Sequence, residues 1–102
     1  MAESRKGDHT LLEALRFVQA SLRLESDDYG DGVVPTALRS ADRALLTGEA
    51  ATAFDILVSA IRVSAGDDKK ALRERLLELF DARPVDDPEV LTGRRNLASA
   101  LY

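Results

Sequence analysis

The sequence predicts an all-α chain of about five helices in antiparallel hairpins, a helical array. Three observations predict it. Apolar residues recur at spacings of three and four in five separate segments, the period of one helix face. Gly and Pro fall between those segments and mark their ends. No segment shows the sustained alternation of a half-buried strand; Val33-Val34 and Ile61-Arg62-Val63 are too short, and the second sits within a helical pattern.

Each element has its own reason. Residues 1–9 are polar and read as a flexible tail, leaving 10–102 as a single helical domain. Thr10-Leu11-Leu12-Glu13 has the S/T-x-x-E form of a capping box, in which each side chain satisfies the other end's free amide. Leu11, Leu15, Val18 and Leu22 follow at spacings of four, three and four. They predict a first helix over Leu11–Leu24 that buries this stripe, with Glu13 and Arg16 paired on the other side. Asp27-Asp28-Tyr29-Gly30-Asp31-Gly32 is turn chemistry, since Gly supplies positive φ and Asp bonds nearby backbone. A second helix begins near Pro35, a residue suited to a first turn, and buries Leu38, Ala41 and Leu45 with Ala37 and Ala44 beside them. Gly48 closes it as a C′ glycine.

A third helix over Glu49–Ser64 turns Ala53, Leu57, Ala60 and Ile61 one way, with Phe54 at the margin. The link to the second helix is so short that the two must form an αα-hairpin. Ala65-Gly66-Asp67-Asp68 ends the third helix and starts a fourth, which runs to about Ala82 with Leu72, Leu76, Leu79 and Phe80 as its stripe. Pro84 enforces the stop, because it pushes residue 83 out of the helical region. Asp87 is the natural N-cap of a fifth helix, with Pro88 at its first position and Glu89 where the helix dipole favours negative charge. Val90, Leu97, Ala98 and Leu101 form its face, and Leu97, Leu101 and Tyr102 are expected to seal the end of the stack. Gly93 lies inside this helix at a cost of roughly 1 kcal/mol relative to Ala, which reads either as close approach by a neighbouring helix, the favoured reading, or as a helix that frays or starts late.

Composition narrows the function. Hydrophobic residues make up 45% and charged residues 31% of 102 positions, a balance that forms one core. The net charge of −4 opposes nucleic acid and anionic membrane as partners, because both need clustered positive charge. With no Cys and one His, disulfides, thiol catalysis and Cys- or His-rich metal sites are excluded. The N-terminal residues contain no apolar secretory segment and no run approaches a bilayer span, so a cytoplasmic protein is expected. The acidic turn fails as a calcium loop, since its third and twelfth positions from Asp27 are Tyr29 and Leu38. His9 has no partner to orient it, and no glycine-rich phosphate loop is present. No catalytic residue, cofactor or metal is nominated, and the chain is expected not to be an enzyme.

Two groups of residues do stand out. Gly48, Ala53, Leu57 and Ala60, with Ala41 upstream, follow the order of small and large positions in a tetratricopeptide repeat hairpin. The small side chains let two helices pack at the short end of the 8–10 Å range, and Leu57 fills the groove beyond. A single repeat cannot bury its face alone, so the other helices must act as neighbours or caps. Lys69, Lys70 and Arg73 make the fourth helix locally basic. They read either as a docking face for an acidic segment or as a solvated face laced with Glu74 and Glu78.

From about Ser40 to Tyr102 the sequence carries Leu45, Gly48, Ala53-Phe54-Asp55, Arg62 and Gly66-Asp67-Asp68. Arg75-Leu76-Leu77-Glu78-Leu79-Phe80, Asp86-Asp87-Pro88 and Arg94-Arg95-Asn96-Leu97-Ala98-Ser99-Ala100-Leu101-Tyr102 follow. With these residues the region resembles the C-terminal tetratricopeptide-like domain of bacterial thioredoxin-like co-chaperones of the chaperedoxin type. Such proteins carry a thioredoxin-fold domain ahead of this region, whereas this sequence has neither a βαβ pattern nor Cys-x-x-Cys. The resemblance implies a helical module that binds another polypeptide, a client or a chaperone partner. The alternative is an oligomerisation or capping domain of a larger thioredoxin-like protein, with its apolar groove filled by a second copy.

Overall fold

The computed structural model describes the backbone of residues 2–102 and the side chains of residues 9–102. It is all-α: α1 Ala2–Ser26, α2 Val33–Leu46, α3 Ala50–Arg62, α4 Gly66–Asp81 and α5 Pro88–Leu101. The sequence places the ends of α2 to α5 within about two residues, the scatter expected of helix ends. The start of α1 is different. The helix runs through Thr10, so the Thr10–Glu13 pattern lies inside α1 and is not its cap. The expectation of a flexible tail over residues 1–9 falls almost entirely outside the residues whose side chains are described. No helix among the described residues is long and apolar enough to cross a membrane.

The α2–α3 hairpin is closed at Gly48, whose φ of +81° is one an L side chain rarely adopts. Its N–H donates to the Leu45 carbonyl at 3.1 Å, and the Glu49 N–H donates to the Ala44 carbonyl at 2.9 Å. These are the two bonds of a Schellman motif, which satisfy carbonyls that the end of α2 would otherwise leave free.

The core gathers around α3, which packs against α2, α4 and α5. Its apolar residues surround it: Ala50, Ala53, Phe54, Leu57, Val58, Ala60 and Ile61 are all buried. A helix that is apolar on most sides belongs in the interior. Phe54 is therefore not marginal, as its place in the stripe suggests. It is 2% exposed and meets Phe80 edge-on, with ring centroids 4.9 Å apart at 78°. The α4 stripe of Leu72, Leu76, Leu79 and Phe80 is buried as expected. On α5, Val90, Gly93 and Leu97 face the core, but Ala98 is exposed. Tyr102 is wholly exposed and seals nothing, because α5 ends at Leu101 and releases it past the last turn.

The largest departure is in α1. Leu11, Leu15, Val18 and Leu22 are not buried; they are 70%, 46%, 52% and 59% exposed. The helix docks by its other side, where Ala20 is fully buried and Leu12, Arg16, Arg23 and Leu24 are half-buried. Ala20 permits a close approach to α2, and Arg23 reaches a buried carboxylate on it. Periodicity locates apolar residues, but it does not say which side of an amphipathic helix finds the partner. The molecule is a slab of 43 × 34 × 21 Å, so its thickness is close to two helix diameters. α1 lies on its surface with an apolar face turned outward.

Candidate protein-interaction site

The outer face of α1 is built by spacing alone. At 100° per residue, Leu11, Leu15, Val18 and Leu22 fall within a narrow sector opposite Ala20. Ala14 and Ser21 border the sector on one side and Gln19 on the other. Exposed Glu25 lies on the same edge as Ala14 and Ser21, at the C-terminal end of α1, so the border carries one charge there. The opposite face is held by Asp42 on α2, a carboxylate only 2% exposed. Arg23 donates to it twice, Nε to Oδ2 at 2.9 Å and Nη2 to Oδ1 at 2.8 Å. The Tyr29 hydroxyl donates to Oδ2, and Arg75 Nη1 on α4 donates to Oδ1 at 3.3 Å. One carboxylate thus ties together α1, the α1–α2 loop, α2 and α4.

The electrostatics follow from this crowding. The hydrogen bond to Asp42 pushes the Arg23 guanidinium above its usual range. Burial, and the charge of Arg23 beside it, pull Arg75 below its usual range. Burial pushes the Tyr29 hydroxyl up to about 12, aided by the bond it donates to Asp42. Sequence reasoning misses this cluster. Its one available sign is a charged residue next to Ala41 in the buried stripe of α2, and no local pattern identifies partners 19, 13 and 33 residues away.

The repeat-signature residues serve as packing. Ala41, Ala53, Leu57 and Ala60 are buried, and Gly48 makes the turn. Lys69, Lys70 and Arg73 cluster on one side of α4, with Lys69 half-buried and the other two exposed. None of the three belongs to an ion pair among the described residues. Glu13 and Arg16 do not pair either; Arg16 donates to Gln19 at 3.0 Å. In the acidic turn Asp27 adopts a φ of 51° and accepts from Arg39 at 3.0 Å. Among the described residues no group of three or more His, Cys, Asp or Glu could hold a metal ion.

Three uncharacterized mycobacterial proteins are similar to this chain: Rv1324 and MT1366 from two strains of Mycobacterium tuberculosis, and Mb1359 from Mycobacterium bovis. Each is 41% identical over 69 residues, which is 68% of this chain and 23% of the relative. The chain therefore spans less than a quarter of the length of the curated relatives it matches. No solved structure matches it. The family model for the tetratricopeptide repeat matches residues 11–102. A match of that extent, on an all-α array turned at Gly48 and packed through small residues, shows that the chain belongs to the tetratricopeptide repeat family.

Proposed function

We propose that the chain is a non-enzymatic, cytoplasmic module that holds another polypeptide by docking an amphipathic helix on the outer face of α1. Tetratricopeptide repeats generally mediate protein–protein interaction. The observation that carries this form of the reading is the stripe of four large apolar side chains, each 46–70% exposed, at a spacing a second helix matches. Ala14 and Ser21 let that helix approach, and the exposed Glu25 at the end of the stripe offers a contact to a basic residue of the docked helix. Residues 10–102 act as one unit in this role. Holding a client or a chaperone partner, as implied by the resemblance to chaperedoxin-type co-chaperones, fits the same surface. Lys69, Lys70 and Arg73 supply a separate contact for an acidic segment of the partner.

A second reading is favoured by the short span of the match to the relatives. The α1 stripe is then covered within a larger assembly, by a second copy or by another helix, and the module serves as an oligomerisation or capping domain. Two measurements decide. Light scattering gives the mass of the chain as its concentration rises, and fluorescence polarisation of a labelled leucine-rich amphipathic helix reads docking. The expected result is a monomer that binds the helix, with L15D and L22D abolishing binding at unchanged helix content. A dimer dispersed by the same substitutions supports the second reading. A monomer that binds neither the labelled helix nor an unfolded reporter client overturns both. Charge reversal at Lys69, Lys70 and Arg73 that leaves capture of an acidic-tailed helix unchanged removes that face from the site.

A further inference from the structure

A cavity of about 240 Å³ lies where the end of α1, the α1–α2 loop, α2 and α4 meet. It is lined by Arg23 and Ser26 of α1, Asp28 and Tyr29 of the loop, Leu38 of α2 and Arg75 of α4. We propose that this cavity binds a free α-amino acid with an apolar side chain, its carboxylate on Arg75 and its ammonium on Asp28 and Ser26.

The carboxylate half follows from an uneven sharing of Asp42. That carboxylate accepts twice from Arg23, once from the Tyr29 hydroxyl and once, at 3.3 Å, from Arg75 Nη1. Arg23 thereby has its counter-charge in a two-bond pair, and Arg75 has only the longest of the four contacts. The remaining N–H groups of Arg75 have no acceptor among the described residues, although its side chain is only 18% exposed. Glu78, one turn further along α4, influences Arg75 but forms no ion pair with it. A planar guanidinium with free N–H groups beside a cavity matches a carboxylate as a fork.

The ammonium half lies on the loop side. Asp28 is exposed, and its carboxylate makes no hydrogen bond or ion pair among the described residues. Ser26 Oγ directs its proton to the Arg23 carbonyl at 3.3 Å, so its lone pairs are left to accept. A carboxylate and a hydroxyl oxygen suit an ammonium, and Asp28 would repel a ligand that carried negative charge alone. Leu38 and the Tyr29 ring give the apolar wall. The ring is held by the Arg39 guanidinium, 5.0 Å from its centroid, and by its own hydroxyl on Asp42.

Size and charge together choose the ligand. The cavity would hold about eight waters at liquid density and falls below the roughly 300–1,000 Å³ of sites for larger ligands. Its unmatched groups are one cation and one anion. The ligand must therefore bring one charge of each sign close to one apolar side chain. A free α-amino acid carries all three on a single carbon. The first residue of a polypeptide lacks the carboxylate, the last lacks the ammonium, and an internal residue lacks both.

The probe is L-leucine, titrated into the full chain by calorimetry. In a Y102F background Tyr29 is the single tyrosine, so its fluorescence should change with the same midpoint. Leucinamide and N-acetylleucine stand for the first and last residues of a chain, and 4-methylpentanoate is leucine without its ammonium. Each is expected to bind about tenfold or more weakly than leucine. Glycine should lose a similar factor, since it has no side chain to cover Leu38. R75Q should bring the affinities for leucine and leucinamide together, and D28N those for leucine and 4-methylpentanoate. Circular dichroism confirms the fold of both variants, neither of which touches the Arg23–Asp42 pair. The proposal is overturned if leucine does not bind at millimolar concentration, or if any of the four analogues binds as tightly as leucine. It is equally overturned if R75Q or D28N keeps the original preference. None of these outcomes bears on helix docking at Leu15, so the two readings fail separately.

Discussion

Arg23 on α1 and Asp42 on α2 form a two-bond ion pair across the docked face of α1, at 2.9 and 2.8 Å, and the carboxylate is almost completely buried. Its orientation sends Leu11, Leu15, Val18 and Leu22 outward. A structural pair in the interior thus decides which face of the first helix is available to a partner.

Replacing Asp42 by Ala leaves Arg23 and Arg75 facing each other with only the weaker influence of Glu78 to offset their charge. Breaking a fully buried pair costs roughly 3–5 kcal/mol, but both arginines keep some contact with water, so the expected loss is about 2–3 kcal/mol. R75Q should cost less than about 1 kcal/mol, since its bond is the longer one, 3.3 Å, and its removal relieves repulsion from Arg23. Urea midpoints measure both. Hydrogen exchange should show α1 opening first in the Asp42 variant, because α3, α4 and α5 keep their shared core. Equal losses for the two variants would contradict the dominance of the Arg23 bond.

Tyr29 gives this cluster a signature in alkali. Its hydroxyl is raised to about 12 by burial, and by the bond to Asp42, from an unfolded value of about 10. The folded state therefore holds the proton more tightly than the unfolded chain. Its contribution to stability is full below pH about 10 and is lost as pH rises toward about 12. In a Y102F background, which leaves Tyr29 as the single tyrosine, the absorbance of tyrosinate should rise with a midpoint near 12. A midpoint near 10 in the folded chain would remove the bond to Asp42 from the account.

The five helices were legible because their signals are local: stripes at helical spacing, Gly48 at a Schellman turn, Asp87 before Pro88. Neighbour identity was not local. Four leucine-type residues on α1 look the same whether they face the core or solvent. The choice rests on Ala20 and on an Arg23–Asp42 contact that spans 19 residues. Phe54 is buried despite its marginal place in the stripe for a related reason. A stripe has margins only when one neighbour covers it, and α3 has three.

Gly93 is required by its neighbours. A Cβ built there would lie 2.7 and 2.8 Å from the Phe80 ring and 3.4 Å from Phe54, which decides between the two readings of this glycine in favour of close approach. G93A gains about 1 kcal/mol of helix propensity but overpacks the site by about 1–3 kcal/mol, so a net loss of up to about 2 kcal/mol is expected. Phe80 is buried and braced by Phe54, which limits its retreat. In an F80L background the same substitution should cost less, and a thermal-melt double-mutant cycle measures that relief. Additive losses would mean that Phe80 is not the obstacle.

Asp87 links the start of α5 to Arg83. Its Oδ1 accepts from the N–H groups of Glu89 at 2.8 Å and Val90 at 3.3 Å, and its Oδ2 accepts from Arg83 at 3.1 and 2.9 Å. Burial acts to raise this carboxyl, but the bonds from Arg83 and the two amides outweigh it and hold it below the usual carboxylate range. A depressed folded value means that the ionised form is favoured by folding. The stabilisation is therefore present above the unfolded value near 3.9 and is lost as pH falls through the lower folded value. D87A should remove a cap worth about 1 kcal/mol, together with part of the Arg83 pair, and should flatten the fall in stability below pH about 4. Urea denaturation at neutral and acidic pH measures the difference. If stability falls equally at both pH values, the cap contributes through packing and not through its charge.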